Sequence, residues 1–307
     1  MRSNDGKIIE ERRHPTRLLG RYLKGRPPSR VIVETSAEAF AVADQAKALG
    51  HEVRVVPSSL AKPLGIGARR IKNDRRDAQV LSEVSTRIDL PSVHIKSPTA
   101  REQNAICSSR ESMTRARTQL VNNVRGFSRT RMIRIRSGAT ETFPTRARQA
   151  MLETPAGIPV HVERVLVSIE ALTTQIRAAD KELKKIAKES ETCQRLMTVP
   201  GVGPVTAVRF SAALDTVKRF RNAHSVGSYL GLTPGEDSSS TRERRLSITK
   251  AGPPHVRWTL TQACWSAVRT RPNDPMVVWA KEVEKRRGKR IAIIALADTL
   301  KPYAREA

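Results

Sequence analysis

The chain has 307 residues, enough for two or three domains with cores of their own, and 38% of them are hydrophobic against 28% charged. Its 56 Lys and Arg against 30 Asp and Glu leave a formal net charge of +26, a surplus that repels itself on compaction and points to a polyanionic partner; nucleic acid, whose phosphates release counterions when neutralised, is the commonest one. No run of about 18 apolar residues and no leader-like stretch is present, so a membrane span or anchor is not expected, and neither are a disulfide scaffold or a zinc site, because Cys107, Cys193 and Cys264 lie far apart with no CxxC or CxxH pair.

Such sparse thiols fit the reducing cytoplasm and read as small buried hydrophobes. In chain order, Asn4-Asp5-Gly6 predicts a hairpin-type turn ahead of a strand over Lys7–Arg12 (KIIEER). The β-branched run Val31–Glu34 (VIVE) predicts a buried strand, Ser36–Leu49 a helix ended by Gly50, and His51–Val56 a second strand. Strand, helix and strand at this spacing imply a parallel crossover. The chain thus opens in a hairpin turn whose first strand is expected to be missing, which leaves KIIEER without a partner before it.

A helix-rich, Arg-heavy stretch follows from Pro98 to about Arg134, then a loop around Ser137–Pro144. Val162, Val165, Ile169, Leu172, Ile176, Ala179, Leu183 and Ile186 recur at alternating spacings of three and four. That pattern predicts a coiled-coil seam, between chains or within a helical hairpin; an amphipathic helix packed inside one monomer is the plainer alternative. From near Leu196 the chain reads as mostly helical with Gly and Pro punctuation, and Glu282–Arg290 (EVEKRRGKR) is strongly basic.

Three constellations have chemical potential. Glu34 ends the VIVE strand, where carboxylates of α/β sheets face a ligand crevice. Asp74 and Asp77, in KNDRRDA, share a helix face at a spacing of three. Carboxylates that converge suit Mg²⁺, a hard cation that takes oxygen ligands and serves phosphoryl transfer; acids that complement a helix N-terminus are the alternative. Next, Ser238-Ser239-Ser240 stands beside Arg242, Arg244 and Arg245. A serine hydroxyl can attack a phosphodiester while guanidiniums hold the charge, although a flexible polar loop has the same composition. Last, Gly201 and Gly203 in VPGVGPVTA sit ahead of a helix, an arrangement similar to the hairpin of helix-hairpin-helix elements, so they are expected either to contact a DNA backbone or simply to turn between helices. The histidines (His14, His51, His94, His161, His224, His255) have no ligand-like spacing; His255 is the one considered for acid–base work, and a surface or satisfied core role is the ordinary reading.

At these residues the chain resembles the DEDD transposases related to the Piv DNA invertases. KNDRRDA at 72–78 is similar to their K-T-D-R-R-D-A stretch, and PGVGPVTA, SYLGLTP, the serine pair and LSITKAG ahead of Trp258 follow in the order of their C-terminal domain. The resemblance implies an α/β RNase H/RuvC-like N-terminal domain over 1–95, lacking its first strand, a helical coiled-coil region over 96–192 and a mainly α transposase domain over 193–307. It implies DNA strand exchange of insertion sequences by a serine nucleophile with Mg²⁺-binding acids, guided in several members by a structured RNA.

By match, Glu34, Asp74 and Asp77 are the second, third and fourth acids and metal ligands, and Ser239 is the nucleophile ahead of Ser238. Arg75, Arg76, Gly201, Gly203, Arg242, Arg244, Arg245 and Lys250 are expected on nucleic acid. The family's first acid, in a G-I-D-like stretch before the hairpin turn, is expected to be missing, and Asp5 belongs to the turn. Ser240-Thr241 stands where the family has Gly-Gly, which removes backbone freedom there. Serine and acids come from distant parts of the chain, so a composite site is expected, completed in a homo-oligomer, a dimer or tetramer joined through the 162–186 helix. The alternatives are an inactive remnant that only binds nucleic acid and a RuvC-like metal-dependent nuclease.

Overall fold

The computed structural model describes residues 1–3, 5–61, 74–239 and 242–299. Two units are distinguished, Met1–Lys96 and the chain from Ser97 onward.

In the first unit, the N-terminal turn forms. Gly6 takes φ +86°, the Ser3 carbonyl accepts from the Gly6 N–H (3.0 Å) and the Ser3 N–H donates to the Lys7 carbonyl (2.9 Å). The expected KIIEER strand does not follow. Pairing consists of one antiparallel bridge, Arg2 to Ile8, and Ile8 and Ile9 are exposed. With both isoleucines in water, no buried face fixes a longer ladder. The partner comes from residues 1–3 themselves, which corrects the expectation that the segment stands alone.

After the short helix α1 (Leu19–Leu23) come β1 (Arg30–Glu34), α2 (Ala39–Ala48) and β2 (Glu52–Val56). The strands pair parallel from Arg30↔Glu52 to Glu34↔Val56, as the spacing predicts. Strand alternation sorts the valines. Val31, Val33, Val53 and Val55 pack with Ala39, Ala43 and Ala46 of α2, whose small side chains let the helix lie close. Ile32 and Val56 face the other way, toward Leu81 and Val84 of α4 (Asp74–Arg87), which follows α3 (Ser58–Ala61). Helices on both faces explain why the strands read as unbroken hydrophobic runs.

His51 is a satisfied core histidine: the Ser29 N–H donates to its Nδ1 (3.2 Å) and its Nε2 lies 3.3 Å from the Leu23 carbonyl. Among the described residues this sheet has two strands.

The second unit begins with α5 (Pro98–Thr130), whose N-cap Ser97 accepts from the Ala100 N–H (3.1 Å), with proline in the first turn where no N–H is missed. Then come α6 (Phe143–Leu152) and α7 (Val160–Glu189). α7 runs antiparallel to α5: Val162, Leu166 and Ile169 share a core with Val121 and Val124, and Leu183 and Ala187 one with Cys107.

The heptad reading is half right in register. Val162, Ile169, Ile176 and Leu183 are buried as expected, but the other buried positions are Leu166 and Thr173 between them and Ala187 after them, while Val165, Leu172, Ala179 and Ile186 flank the seam half-buried. The reason is polar. Arg117 reaches Thr173 (3.3 Å) and Arg110 reaches Asp180 (2.6 Å), so polar residues occupy the inner side that a hydrophobic pattern skips.

The C-terminal part adds α8 (Glu191–Leu196), α9 (Pro204–Leu214), α10 (Ala223–Leu230), the hairpin β3 (Pro234–Ser239) and β4 (Arg242–Ile248), then α11 (Pro254–Thr270), α12 (Pro275–Arg287) and α13 (Lys289–Asp298). Phe210, Leu214, Leu230, Leu260 and Leu296 anchor its core. No helix among the described residues is long and apolar enough to cross a membrane.

Candidate functional site

Strand alternation puts Glu34 on the face shared by Ile32 and Val56, which α4 covers. The Arg30 guanidinium, at the start of β1, meets the Ser85 carbonyl near the end of α4 (3.4 Å). From that contact Glu34 lies four strand residues away, about 13 Å, and Asp77 eight helix residues away, about 12 Å. Both are half-buried. The Asp74 side chain lies outside the described part, but its backbone starts α4 one turn before Asp77. Among the described residues no three acids, histidines or cysteines gather as a metal site.

Arg75 ion-pairs with Glu11, which also accepts from Gln79 (3.2 Å), so this expected nucleic-acid contact is already engaged; Arg76 is exposed. Arg75 and Gln79 hold the Glu11 carboxyl below its ordinary pKa.

In the glycine loop between α8 and α9, Gly201 and Gly203 have different roles. Gly201 has φ +80°, and a Cβ there would stand 2.1 Å from the Ala263 carbonyl of α11. Its lack of a side chain lets the loop lie against α11, which explains it without any phosphate. Gly203 is the N-cap of α9, and a Cβ on it would meet open space. Only the second matches the open approach expected of a backbone contact.

The motifs around the serines knit into one support. Gly231 closes α10 in the left-handed conformation, and a Cβ on it would lie 2.6 Å from the Ala251 nitrogen; one on Gly252 would lie 2.0 Å from the Tyr229 carbonyl. The Lys250 N–H donates to the Gly231 carbonyl (3.1 Å) with Lys250 at φ +56°, and Arg257 donates to the carbonyls of Leu230 (2.9 Å) and Gly252 (2.5 Å). SYLGLTP and LSITKAG are thus two sides of one clamp at the base of the β3–β4 hairpin. Lys250 itself is exposed.

The hairpin register sets Ser239 opposite Arg242, Asp237 opposite Arg244, Ser238 opposite Glu243 and Glu236 opposite Arg245. Ser240 and Thr241, which stand for the family's Gly-Gly, lie outside the described residues, as do the side chains of Asp237–Ser239 and Arg242–Arg245.

One cluster has no sequence signature. Glu111 of α5 is buried, takes ion pairs from Arg209 of α9 (3.1 Å) and Arg115, and lies 3.3 Å from the Nδ1 of His255 of α11. Arg209, also buried, donates in addition to the Cys107 carbonyl (2.7 Å). Beside them opens a cavity of about 420 Å³ lined by α5, α9 and α11, with Trp258 on its wall. Burial pushes the Cys264 thiol up to about 12 and raises Cys107 and Cys193, so none of the three is a nucleophile.

Comparison with known proteins adds two family matches. Residues 3–128 match the IS110 DEDD transposase model, described as transposase, and residues 193–276 match the model described as transposase IS116/IS110/IS902 family. The chain is 29% identical to the transposase for insertion sequence element IS1111A of Coxiella burnetii, over 80% of this chain and 70% of that protein. It is 26% identical to the transposase for insertion sequence element IS1328 of Yersinia enterocolitica, over 84% of this chain and 76% of that protein.

Proposed function

Since the chain belongs to the IS110/IS116 family of transposases, we propose that it recombines insertion-sequence DNA in the cytoplasm through a covalent serine–DNA step carried by Ser239. The observation that carries this reading is the hairpin register. In the backbone register Ser239 pairs with Arg242, whereas Ser238 pairs with Glu243. A serine paired with an arginine suits attack on a phosphate, whose charge a guanidinium can hold, better than a serine paired with a glutamate.

In the step, the Ser239 Oγ bonds to phosphorus, one deoxyribose oxygen leaves, and the serine proton ends on that oxygen. The bond energy is kept in a serine–phosphate ester, which a second DNA end's hydroxyl then attacks. The clamp at Gly231, Lys250 and Gly252 holds the hairpin base rigid, which limits the loss of orientation on binding.

Glu34, Asp74 and Asp77 belong to an RNase H/RuvC-like half in this reading. Glu34 at the end of β1 and Asp77 in the first turn of α4, with Asp74 at its start, would supply the carboxylate oxygens that Mg²⁺ takes. When bound, the ion would neutralise phosphate charge there. Arg76, Arg245, Lys250 and the amides after Gly203 are assigned to nucleic-acid backbone, DNA or a structured guide RNA. A homo-oligomer is part of the proposal, but the α7 seam is already covered by α5, so a second copy would meet α7 elsewhere.

The test is an adduct assay with element-end DNA, Mg²⁺ and RNA transcribed from beside the element, read on a denaturing gel. Ser239→Ala should abolish the protein–DNA adduct and Ser238→Ala should keep it. Cleavage that survives Ser239→Ala would support a metal-dependent nuclease instead. Binding with no adduct from any form would leave only a nucleic-acid-binding protein.

A further inference from the structure

The cavity beside Glu111 has no part in the proposed chemistry, although Val205 of PGVGPVTA and Trp258 line it. Its wall on α5 comes from three successive turns that present Thr114, Thr118, Gln119 and Asn122, all neutral; the two threonine hydroxyls donate to the carbonyls of Arg110 and Thr114 and so serve as acceptors, while the two amides carry both donors and acceptors. Trp258 also lines it, 53% exposed although its neighbours Val256, Thr259 and Leu260 are buried. A large aromatic held in water over a cavity, rather than turned into the adjoining core, marks a contact surface.

The arginines near it are already engaged: Arg110 on Asp180, Arg209 on Glu111 and the Cys107 carbonyl, and Arg115 on Glu111. A phosphate pocket keeps its guanidiniums for the ligand; this one does not. What the cavity offers is a flat aromatic and neutral donors and acceptors, in a volume of about 420 Å³ that lies within the ordinary range for small-ligand sites. Three arginines against one glutamate leave the lining net positive, so a ligand joined to phosphates is not repelled.

We propose that this cavity receives one unstacked nucleobase of a nucleic-acid strand, stacked on Trp258 and read by Thr118, Gln119 and Asn122. Unpaired bases are recognised by aromatic stacking plus hydrogen bonds to their edges, and a base taken out of a duplex is held in the same way. Recombination needs strands that leave one duplex and join another, so unpaired bases are available to such a site. The choice of ligand rests on the proposed function; the cavity and its chemistry do not.

The test uses the full chain with single-stranded DNA carrying the fluorescent base 2-aminopurine at successive positions, and the same sequences as duplex. One position should show strong quenching on binding to the single strand. Trp258→Leu should remove that quenching and weaken single-strand binding about tenfold or more, while Trp258→Phe restores most of it. Duplex binding should change little in either variant, and because Trp258 is half in water, circular dichroism should confirm an unchanged fold.

Asn122→Ala should alter which base is preferred without loss of duplex affinity. Unchanged quenching in Trp258→Leu overturns the proposal, even when the serine adduct forms normally. So does a Trp258 signal that responds to protein concentration and not to DNA, which would mean that a second copy fills the cavity. Loss of the serine adduct assay with base quenching intact would strike only the proposed chemistry.

Discussion

Gly201 shows how far a single residue's meaning depends on what stands next to it. In sequence, Gly201 and Gly203 look like equivalent members of one turn. In the fold, Gly201 has φ +80° and no room for a Cβ beside the Ala263 carbonyl, whereas Gly203 sits at φ −100° in open space. Gly201→Ala should therefore lower stability by about 2–4 kcal/mol, from left-handed strain plus a forced shift of α11. Gly203→Ala should cost about 1 kcal/mol or less, the loss of a tolerated N-cap. Urea unfolding of both variants checks this, and equal costs would refute the close approach to α11.

The same contrast explains what was legible at the site. Glycines, prolines and paired acids carry local conformational or charge signals, so KNDRRDA, PGVGPVTA and the serine run are visible in sequence. Glu111 is one acid in an Arg-rich helix and looks like part of a solvated face. Only the arrival of Arg209 and His255 from α9 and α11 buries it, and no local pattern encodes that. Trp258 was visible as part of a motif, but its exposure was not.

Among elements, the helices and the parallel crossover were readable because their periodicities follow from burial of one face or two. KIIEER was not readable: a turn signal ahead of it does not make a strand when no partner surface covers its isoleucines. The α7 register failed at Thr173 and Asp180 because Arg117 and Arg110 of α5 draw polar side chains inward.

Such buried polar links join the long helices, and Glu111 is the most enclosed of them, its side chain 10% exposed and that of Arg209 4%. Removing one member leaves a buried charge without its counter-ion, which is costlier than any gain the pair itself brings. Glu111→Gln should therefore destabilise the second unit by about 3–5 kcal/mol. The double change Glu111→Gln with Arg209→Met should recover a large part of that loss, because no orphan charge remains. By comparison, Arg148, which bridges Glu163 (2.7 Å) and Glu170 (2.5 Å) at a more exposed place, should cost about 1 kcal/mol when changed to Ala. Thermal unfolding of the three variants separates these cases; a Glu111 cost no larger than that of Arg148 would show that the cluster is solvated.

For the whole molecule, a net charge of +26 is an instruction about partners more than about fold. Many of its arginines are engaged within the protein, as at Glu10, Glu52, Asp180 and Glu163. In the basic run that closes α12 and opens α13, Arg286, Arg287, Lys289 and Arg290 are all exposed and none has an acidic partner among the described residues, on a short stretch interrupted only by Gly288 at φ +85°; Arg286 meets the Glu282 carbonyl (3.4 Å) and Lys289 the Trp265 ring. Cations massed on a surface, with few acids between them, suit a phosphate backbone.

Binding to duplex DNA should then weaken steeply with salt, each phosphate contact adding about 0.9 to the slope of log affinity against log salt. The triple change Arg286→Gln, Arg287→Gln and Arg290→Gln should lower that slope by about 2–3 and weaken unrelated sequences equally, since phosphate contacts carry no base information. Fluorescence anisotropy on two unrelated duplexes, from about 50 to 200 mM salt, measures both effects. An unchanged slope would move the DNA backbone elsewhere on the protein. A loss confined to one sequence would mean that these arginines read bases, because a purely electrostatic surface cannot discriminate between duplexes of the same charge density.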